Sequence, residues 1–287
     1  MKKLKKIILI PVYNDWKSLN KLLNRLDLIL KRKYAKIEIL IINDNSSEKI
    51  KLPYKKFNCL KVIRVLSLNK NCGSQRAIYI GLNFLKKIKN NFVVTIMDSD
   101  GEDDPAQVPK MFKLASANPN YVVTSNRKKR KESKLVILLY RIHLLITFLF
   151  TLKWVSFGNF TTFNKKNLYR ILSDRSSILA HSSSVLKNCK IIKLHAKRKK
   201  RYFDKSKLSL FSLIEHSLRI NAVFQKNVLF LTLLYSSLIL LLIKPYFSYL
   251  LLFPILIFNL FVFIVKIKFL NFKLNNRIHS IKSFKTG

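Results

Sequence analysis

Negative charge is what this sequence has least of. Fourteen Asp and Glu stand against 55 Lys and Arg in 287 residues, a formal charge of +41. Cysteine is also sparse. Cys59, Cys72 and Cys189 have no paired spacing, which excludes a disulfide framework and a zinc pattern and fits a reducing compartment. The five histidines show no metal-ligand spacing. A secretory leader is not expected either. The apolar run Ile7 to Val12 is too short for a signal-peptide core and no small-residue cleavage site follows, so it reads as the first strand of a domain that stays in the cytoplasm. Lys, Asn and Ile are abundant, which fits an AT-rich bacterial genome.

So large a positive charge implies an anionic partner: nucleic acid, phosphorylated ligands or an anionic lipid surface. Against that background the scarce acids are concentrated. Five of the 14 lie between Asp98 and Asp104, in the stretch MDSDGEDDP. A solvated acidic turn is one reading. A divalent cation carrying a phosphorylated ligand is the other.

The first half alternates short apolar runs with helical patterns. Ile7 to Val12, Ile37 to Ile42, Leu60 to Leu66 and Phe92 to Met97 read as buried parallel strands. Trp16, Leu19, Leu22, Leu23, Leu26 and Leu30 trace one face of an amphipathic helix, and Ala77, Gly81, Phe84, Leu85 and Ile88 trace another. This predicts an α/β fold of βαβ units. Ligands of such sheets bind beyond the carboxyl ends of the strands. Polar motifs stand there in turn: Tyr13-Asn14-Asp15, Asn43 to Ser47, Asn69 to Gly73, and the acidic cluster.

From about residue 220 the character changes. Val228 to Ile243 is 16 residues without a charge and Pro245 to Val265 is 21, with Lys244 between them. At ~1.5 Å per residue these helices would be roughly 24 and 32 Å long, against about 30 Å of bilayer hydrocarbon. A transmembrane hairpin is expected. A buried helical hairpin in a soluble protein is the alternative. Arg219 and Lys226 precede it and Lys266, Lys268, Lys273, Arg277, Lys282 and Lys285 follow, which puts both ends in the cytoplasm. Leu135 to Leu152 is apolar but carries Arg141 and His143 mid-segment, and basic residues flank it on both sides. It is expected to lie on the cytoplasmic leaflet as an interfacial helix, a third span being the alternative. The predicted organisation is a ligand-binding α/β domain over residues 1–134, an interfacial helix and basic region over 135–220, and two membrane helices with a basic cytoplasmic tail over 221–287.

Two aspartates one residue apart at a strand end can both point at one cation. Carboxylate oxygens suit Mg²⁺ or Mn²⁺, which share such sites with substrate phosphates. Such a cation makes a nucleotide diphosphate a good leaving group by neutralising the charge it carries away. The order of motifs then becomes informative. Pro11-Val12-Tyr13-Asn14-Asp15, Asn43-Asp44-Asn45-Ser46-Ser47-Glu48, Asn71-Cys72-Gly73 with Ala77 and Gly81, and Asp98-Ser99-Asp100 resemble the family 2 glycosyltransferases. The likeness continues through Arg127-x-x-Arg130-x-Glu132-Ser133, Gly158-Asn159-Phe160, and Arg198-x-x-Arg201 leading to Ser206-Lys207, over roughly residues 6 to 240. Within the family the chain is similar to the membrane-attached branch of dolichyl-phosphate mannosyltransferase and bacterial polyprenyl-phosphate glycosyltransferases.

That resemblance implies a GT-A type, Rossmann-like, mostly parallel sheet with flanking helices. It also assigns roles. Asp98, Asp100 and Glu102 would be the catalytic and metal-binding acids. Pro11, Tyr13, Asp15, Asp44, Gly73 and Asp98 would bind the nucleotide-sugar donor. Arg127, Arg130, Arg198, Arg201, Ser206 and Lys207 would face the acceptor and donor phosphates. The implied reaction moves a sugar with inversion from a nucleotide diphosphate to a polyprenyl phosphate at the inner face of a bacterial plasma membrane. No nucleic-acid partner is expected, and homo-oligomerisation is left open.

The chain departs from the family where Asn43 precedes Asp44, where Asn159 stands in place of a frequent Asp, and where Asp204 replaces a Gly. An amide cannot act as a general base, whereas a lipid phosphate needs none, its oxygen being already ionised near neutral pH. Transfer to a glycolipid hydroxyl, with Glu102, Asp103 or Asp104 as base, is the alternative within the fold. A non-catalytic basic membrane protein binding anionic lipid or nucleic acid is the alternative outside it. The charge runs Arg127 to Lys134 and Lys197 to Arg201 read mostly as solvated or membrane-surface faces. His143, His181, His195 and His216 read as structural or interfacial.

Overall fold

The structure is a computed structural model and describes residues 4–52, 56–127, 134–196, 199–203, 210–274 and 277–286. An eight-stranded mixed sheet forms its centre. The first half of the chain builds β1 (Lys5–Val12), α1 (Trp16–Leu30), β2 (Ile37–Asn43), β3 (Leu60–Leu68), α2 (Ser74–Lys86), β4 (Phe92–Ile96) and α3 (Val108–Ala117). These are the expected βαβ units. β1 pairs in parallel with both β2 and β4, and β2 pairs in parallel with β3.

The strands are apolar on both faces because helices cover both. Ile8, Ile10 and Val12 point into a core closed by α1 and α3, and Ile7 and Leu9 point into the opposite core under α2. The six α1 positions from Trp16 to Leu30 that carry the helical period are all buried. Each such side chain contributes about 1.5–3 kcal/mol of transfer free energy, set against the entropy of ordering it.

The remaining strands are β5 (Tyr121–Arg127), β6 (Phe157–Asn164), β7 (Lys190–Ala196) and β8 (Ile278–Lys285). They complete the order β7-β5-β6-β4-β1-β2-β3-β8. β6 runs antiparallel to both β4 and β5 and carries Asn159 in beside the tip of β4. Between these strands lie α4 (Lys134–Thr151), α5 (Lys165–Ile171) and α6 (His181–Asn188), with α7 (Leu210–Val223) following β7.

Among the described residues, α8 (Gln225–Leu242) and α9 (Pro245–Leu270) are the two helices long and apolar enough to cross a membrane, and they pack side by side. Much of their surface is exposed, including Phe230, Leu241, Tyr246, Leu250 and Phe253. After α9 the chain returns to the sheet. β8 pairs antiparallel with β3 from Val62↔Lys285 to Leu68↔Ile278. The basic segment expected as a tail is therefore an edge strand over 278–285.

α4 lies against α7 and α8 through a polar line. Ser217 Oγ is 2.6 Å from His143 Nδ1, and Asn221 Nδ2 donates to Thr147 Oγ1 at 3.3 Å. Asn227 Nδ2 donates to the Thr151 carbonyl at 3.0 Å. Leu138, Ile142, Leu145, Leu149 and Leu152 recur on the opposite side and are exposed. The outer face is thus largely apolar, with Arg141 exposed on it, and the polar groups are spent on α7 and α8.

Candidate active site

The acidic stretch forms a tight turn directly beyond β4. Two of its five acids are structural. Asp103 is buried and its Oδ2 accepts from the Asp98 amide at 3.1 Å. Asp104 caps the short helical turn at Pro105–Gln107 by accepting from the Ala106 amide at 3.1 Å. Gly101 turns the chain at φ +84°, and a Cβ there would stand 2.4 Å from the Tyr202 ring. Only glycine fits both requirements.

Asp98, Asp100 and Glu102 are left as the candidates for chemistry. Asp100 has its carboxyl raised to about 6, by burial first and then by the neighbouring Asp98 charge, although the Glu102 amide donates to it at 2.9 Å. A carboxylate held against another in this way favours a cation between them. Part of that demand is met by Arg201, whose guanidinium is 3.3 Å from Asp100 Oδ2 and 3.6 Å from Asp15 Oδ2. Residues 199–203 lie over the turn as a strap. The Lys199 amide donates to the Glu102 carbonyl and the Tyr202 amide to the Asp100 carbonyl. Lys199 Nζ is 3.5 Å from Asp104.

The two carboxylates and their strong local negative field fit a hard divalent cation. Among the described residues no group of three His, Cys, Asp or Glu converges, so Glu102 as a third ligand stands on the family resemblance alone.

Asp98 is oriented from below by a chain of amides that sequence reading passed over. The backbone N–H of His181, at the start of α6, donates to Gln75 Oε1 at 2.7 Å. Gln75 Nε2 donates to Asn159 Oδ1 at 3.0 Å, and Asn159 Nδ2 donates to Asp98 Oδ1 at 3.3 Å. A main-chain N–H can only donate, so it fixes the amide orientation of Gln75, which fixes that of Asn159. Asn159 therefore meets Asp98 as a donor. His181 is fully buried, its Nε2 2.9 Å from Thr161 Oγ1, and burial lowers its pKa to about 3. It is a neutral structural histidine. In the sequence this region was marked only by Gly73, two residues before Gln75.

The expected donor residues gather at the ends of β1 and β2. Pro11 is buried in β1 and Tyr13 is half exposed beyond it. Asp15 accepts from Ser99 Oγ at 3.3 Å. Asp44 is buried, with its carboxyl raised by that burial, and binds the loop before α2: it accepts from the Cys72 and Gly73 amides at 2.9 and 2.8 Å. Gly73 has φ +84° and spends its own N–H on Asp44. Of the expected phosphate-facing residues, Arg201 stands beside Asp100 and Asp15. Arg130, Arg198, Ser206 and Lys207, and the side chain of Arg127, lie outside the described residues.

Comparison with known proteins agrees with this geometry. The family model described as glycosyl transferase family 2 matches residues 7–180, more than half of the chain. An undecaprenyl-phosphate 4-deoxy-4-formamido-L-arabinose transferase of Serratia proteamaculans is 32% identical over 131 residues, covering 44% of this chain and 38% of that protein. Its counterpart in Klebsiella pneumoniae is 32% identical over 130 residues, with the same coverage. The chain thus spans well under two thirds of the length of these relatives. Among solved structures, mannosyl-3-phosphoglycerate synthase from Rubrobacter xylanophilus superposes with a TM-score of 0.51 at 12% identity, covering 78% of this chain and 74% of that one. Glucosyl-3-phosphoglycerate synthase from Mycobacterium tuberculosis, in complex with Mn²⁺, UDP and phosphoglyceric acid, gives 0.50 at 12% identity, covering 78% of each chain. At such identities the likeness is one of fold. The sheet order, the acidic turn beyond β4 and the family match carry one conclusion: this chain belongs to glycosyl transferase family 2.

Proposed function

We propose that the enzyme transfers a sugar from a nucleotide diphosphate to a polyprenyl phosphate at the cytoplasmic face of a bacterial membrane. The observation that carries this reading is the Asn159–Asp98 hydrogen bond. It turns an amide toward the acidic pair at a position where a hydroxyl acceptor would call for a carboxylate base. A phosphate acceptor brings its own ionised oxygen. That oxygen attacks the anomeric carbon, the bond from that carbon to the diphosphate breaks, and configuration inverts.

In this reading Asp98 and Asp100 would hold Mg²⁺ or Mn²⁺, which would supply charge neutralisation for the departing diphosphate. Asp44 keeps the loop before α2 in place against the donor pocket. Arg201, which bridges Asp15 and Asp100, would offer its guanidinium fork to a phosphate beside the acidic pair. The names of the curated relatives, which specify undecaprenyl phosphate, support the acceptor class.

Membrane placement follows the same logic. β8 joins the catalytic sheet after α9, so the helical pair leaves the domain and comes back to it. Two crossings satisfy that path and agree with the basic flanks. The exposed apolar face of α4 would rest on the same leaflet.

The test is an assay of membranes with labelled nucleotide sugars, Mn²⁺ and polyprenyl phosphate. Label is expected in an organic-extractable product and is lost in Asp100→Asn. Transfer confined to glycolipid hydroxyls would overturn the acceptor assignment.

A further inference from the structure

Where α9 returns toward the sheet, four cations collect on two buried rings. The Arg76 guanidinium, in the first turn of α2, stands 4.3 Å from the Phe269 ring centre and 5.0 Å from that of Phe272. Arg219 of α7 is 4.3 Å from Phe269, Arg277 is 5.0 Å from Phe272, and Lys268 is 5.4 Å from Phe269. The rings orient these cations but do not neutralise them. Two acids act on the cluster. Glu215 is 2.7 Å from Lys268 Nζ, and Asp44 attracts Arg76 from a distance while its oxygens serve the Cys72 and Gly73 amides. Positive charge stays in surplus, and burial brings the Arg219 pKa down to about 10.

Hydrogen-bond donors are in surplus too. Each guanidinium has five N–H donors. Arg219 Nε donates to the Leu179 carbonyl at 2.8 Å, Arg277 Nε to that of Lys273 at 2.9 Å, and Arg76 Nη2 to that of Lys268 at 3.5 Å. Arg76 Nε is buried and has no partner among the described residues. Guanidinium forks held within about 5 Å of ring centres are prearranged for the oxygens of a phosphate. The cluster also sits at the end of an apolar helix of 26 residues, the level of a bilayer's headgroups.

We propose that Arg76, Arg219, Lys268 and Arg277 form a binding site for the phosphate of an anionic lipid headgroup, built from residues other than the Asp98–Asp100 pair. The site would pin the hairpin's exit to the start of α2, and so hold the catalytic domain at a set height above the leaflet. The lipid as source of the phosphate rests on reading α8 and α9 as a membrane hairpin. The readout below is bound lipid, so failure of the transfer assay and failure of this proposal are separate results.

The full chain is reconstituted in nanodiscs of phosphatidylcholine with a minor share of phosphatidylglycerol, released, and weighed by native mass spectrometry. The wild type is expected to keep phosphatidylglycerol in preference to phosphatidylcholine. So is a control, Lys110→Gln/Lys113→Gln, which removes equal charge from α3. Arg219→Gln/Arg277→Gln is expected to lose the preference. Arg277→Gln alone, whose thermal transition reports that it folds, is expected to weaken it, and Arg277→Lys to weaken it less. Equal retention in all variants overturns the site. Thermal stabilisation of the wild type by inorganic pyrophosphate but not by phosphatidylglycerol overturns the lipid assignment.

Discussion

Asn159 Nδ2 lies 3.3 Å from Asp98 Oδ1 and donates to it, its orientation fixed through Gln75 by the main-chain N–H of His181. The arrangement makes the amide at 159 a support for Asp98, the carboxylate proposed as a metal ligand. Asn159→Leu removes both the donor to Asp98 and the acceptor toward Gln75 at similar size. Activity and Mn²⁺ affinity are expected to fall by about 10–100-fold, as for other lost supports of metal ligands. Titration by electron paramagnetic resonance separates weakened binding from slowed chemistry. Unchanged Mn²⁺ affinity would dismiss the supporting role.

Asp100 gives a pH prediction. Its carboxyl is raised to about 6 in the folded chain from an ordinary 3.8, by burial and then by Asp98. Between those values the folded state holds the extra proton, so stability falls as pH rises through the window and the penalty is complete above about 6. Asp100→Asn removes it. The variant is expected to be inactive yet to melt higher at pH 7, by about 2–4 °C for each kcal/mol relieved. Protons also compete with the cation, so wild-type Mn²⁺ affinity is expected to drop roughly tenfold per pH unit below about 6. A flat affinity between pH 5 and 7 would contradict this.

Asp27 behaves in the opposite sense. Burial pushes its carboxyl up, but the amides of Cys59 and Asn58 and the Asn58 side chain outweigh that and bring it down to about 2. Its contribution is full above about pH 4 and is lost as pH falls through about 2. Asp27→Ala is expected to cost on the order of 1–2 kcal/mol at neutral pH after allowance for nearby solvent, measured by denaturant titration. The difference between variant and wild type should shrink below pH 3.

Gly101→Ala tests the seat of the strap. The substitution brings a Cβ against the Tyr202 ring and forces an L residue to φ +84°. The backbone term alone costs about 1–2 kcal/mol. Adding Tyr202→Ala is expected to restore only the part due to the ring, and the double-mutant cycle measures that part. Full rescue would show that the backbone angle costs nothing.

The hairpin predicts a labelling pattern. Tyr246, at the α8–α9 turn, is 84% exposed. A cysteine at Tyr246 should react with a membrane-impermeant maleimide on intact cells. One at Lys285, in β8, should react only after permeabilisation. The reverse pattern would invert the orientation.

The sequence by itself determined the parts in which local pattern and burial coincide. Ile- and Val-rich runs with helices between them gave β1 to β4, because strands covered on both faces have no polar side to show. The uncharged runs after Lys226 gave α8 and α9, and the crowding of scarce acids after β4 marked the candidate site. Tertiary structure alone decided the rest. β5, β6 and β7 carry Thr, Ser, Asn and Lys among their apolar residues, and β8 alternates weakly, so their pairing depends on neighbours distant in the chain. Asp103 and Asp104 cannot be told from Asp98 and Asp100 by residue type, since whether a carboxylate caps a turn or faces a ligand depends on which amides surround it. The relay from His181 through Gln75 and Asn159 joins residues up to 106 positions apart, and a hydrogen bond at that separation is a property of the fold.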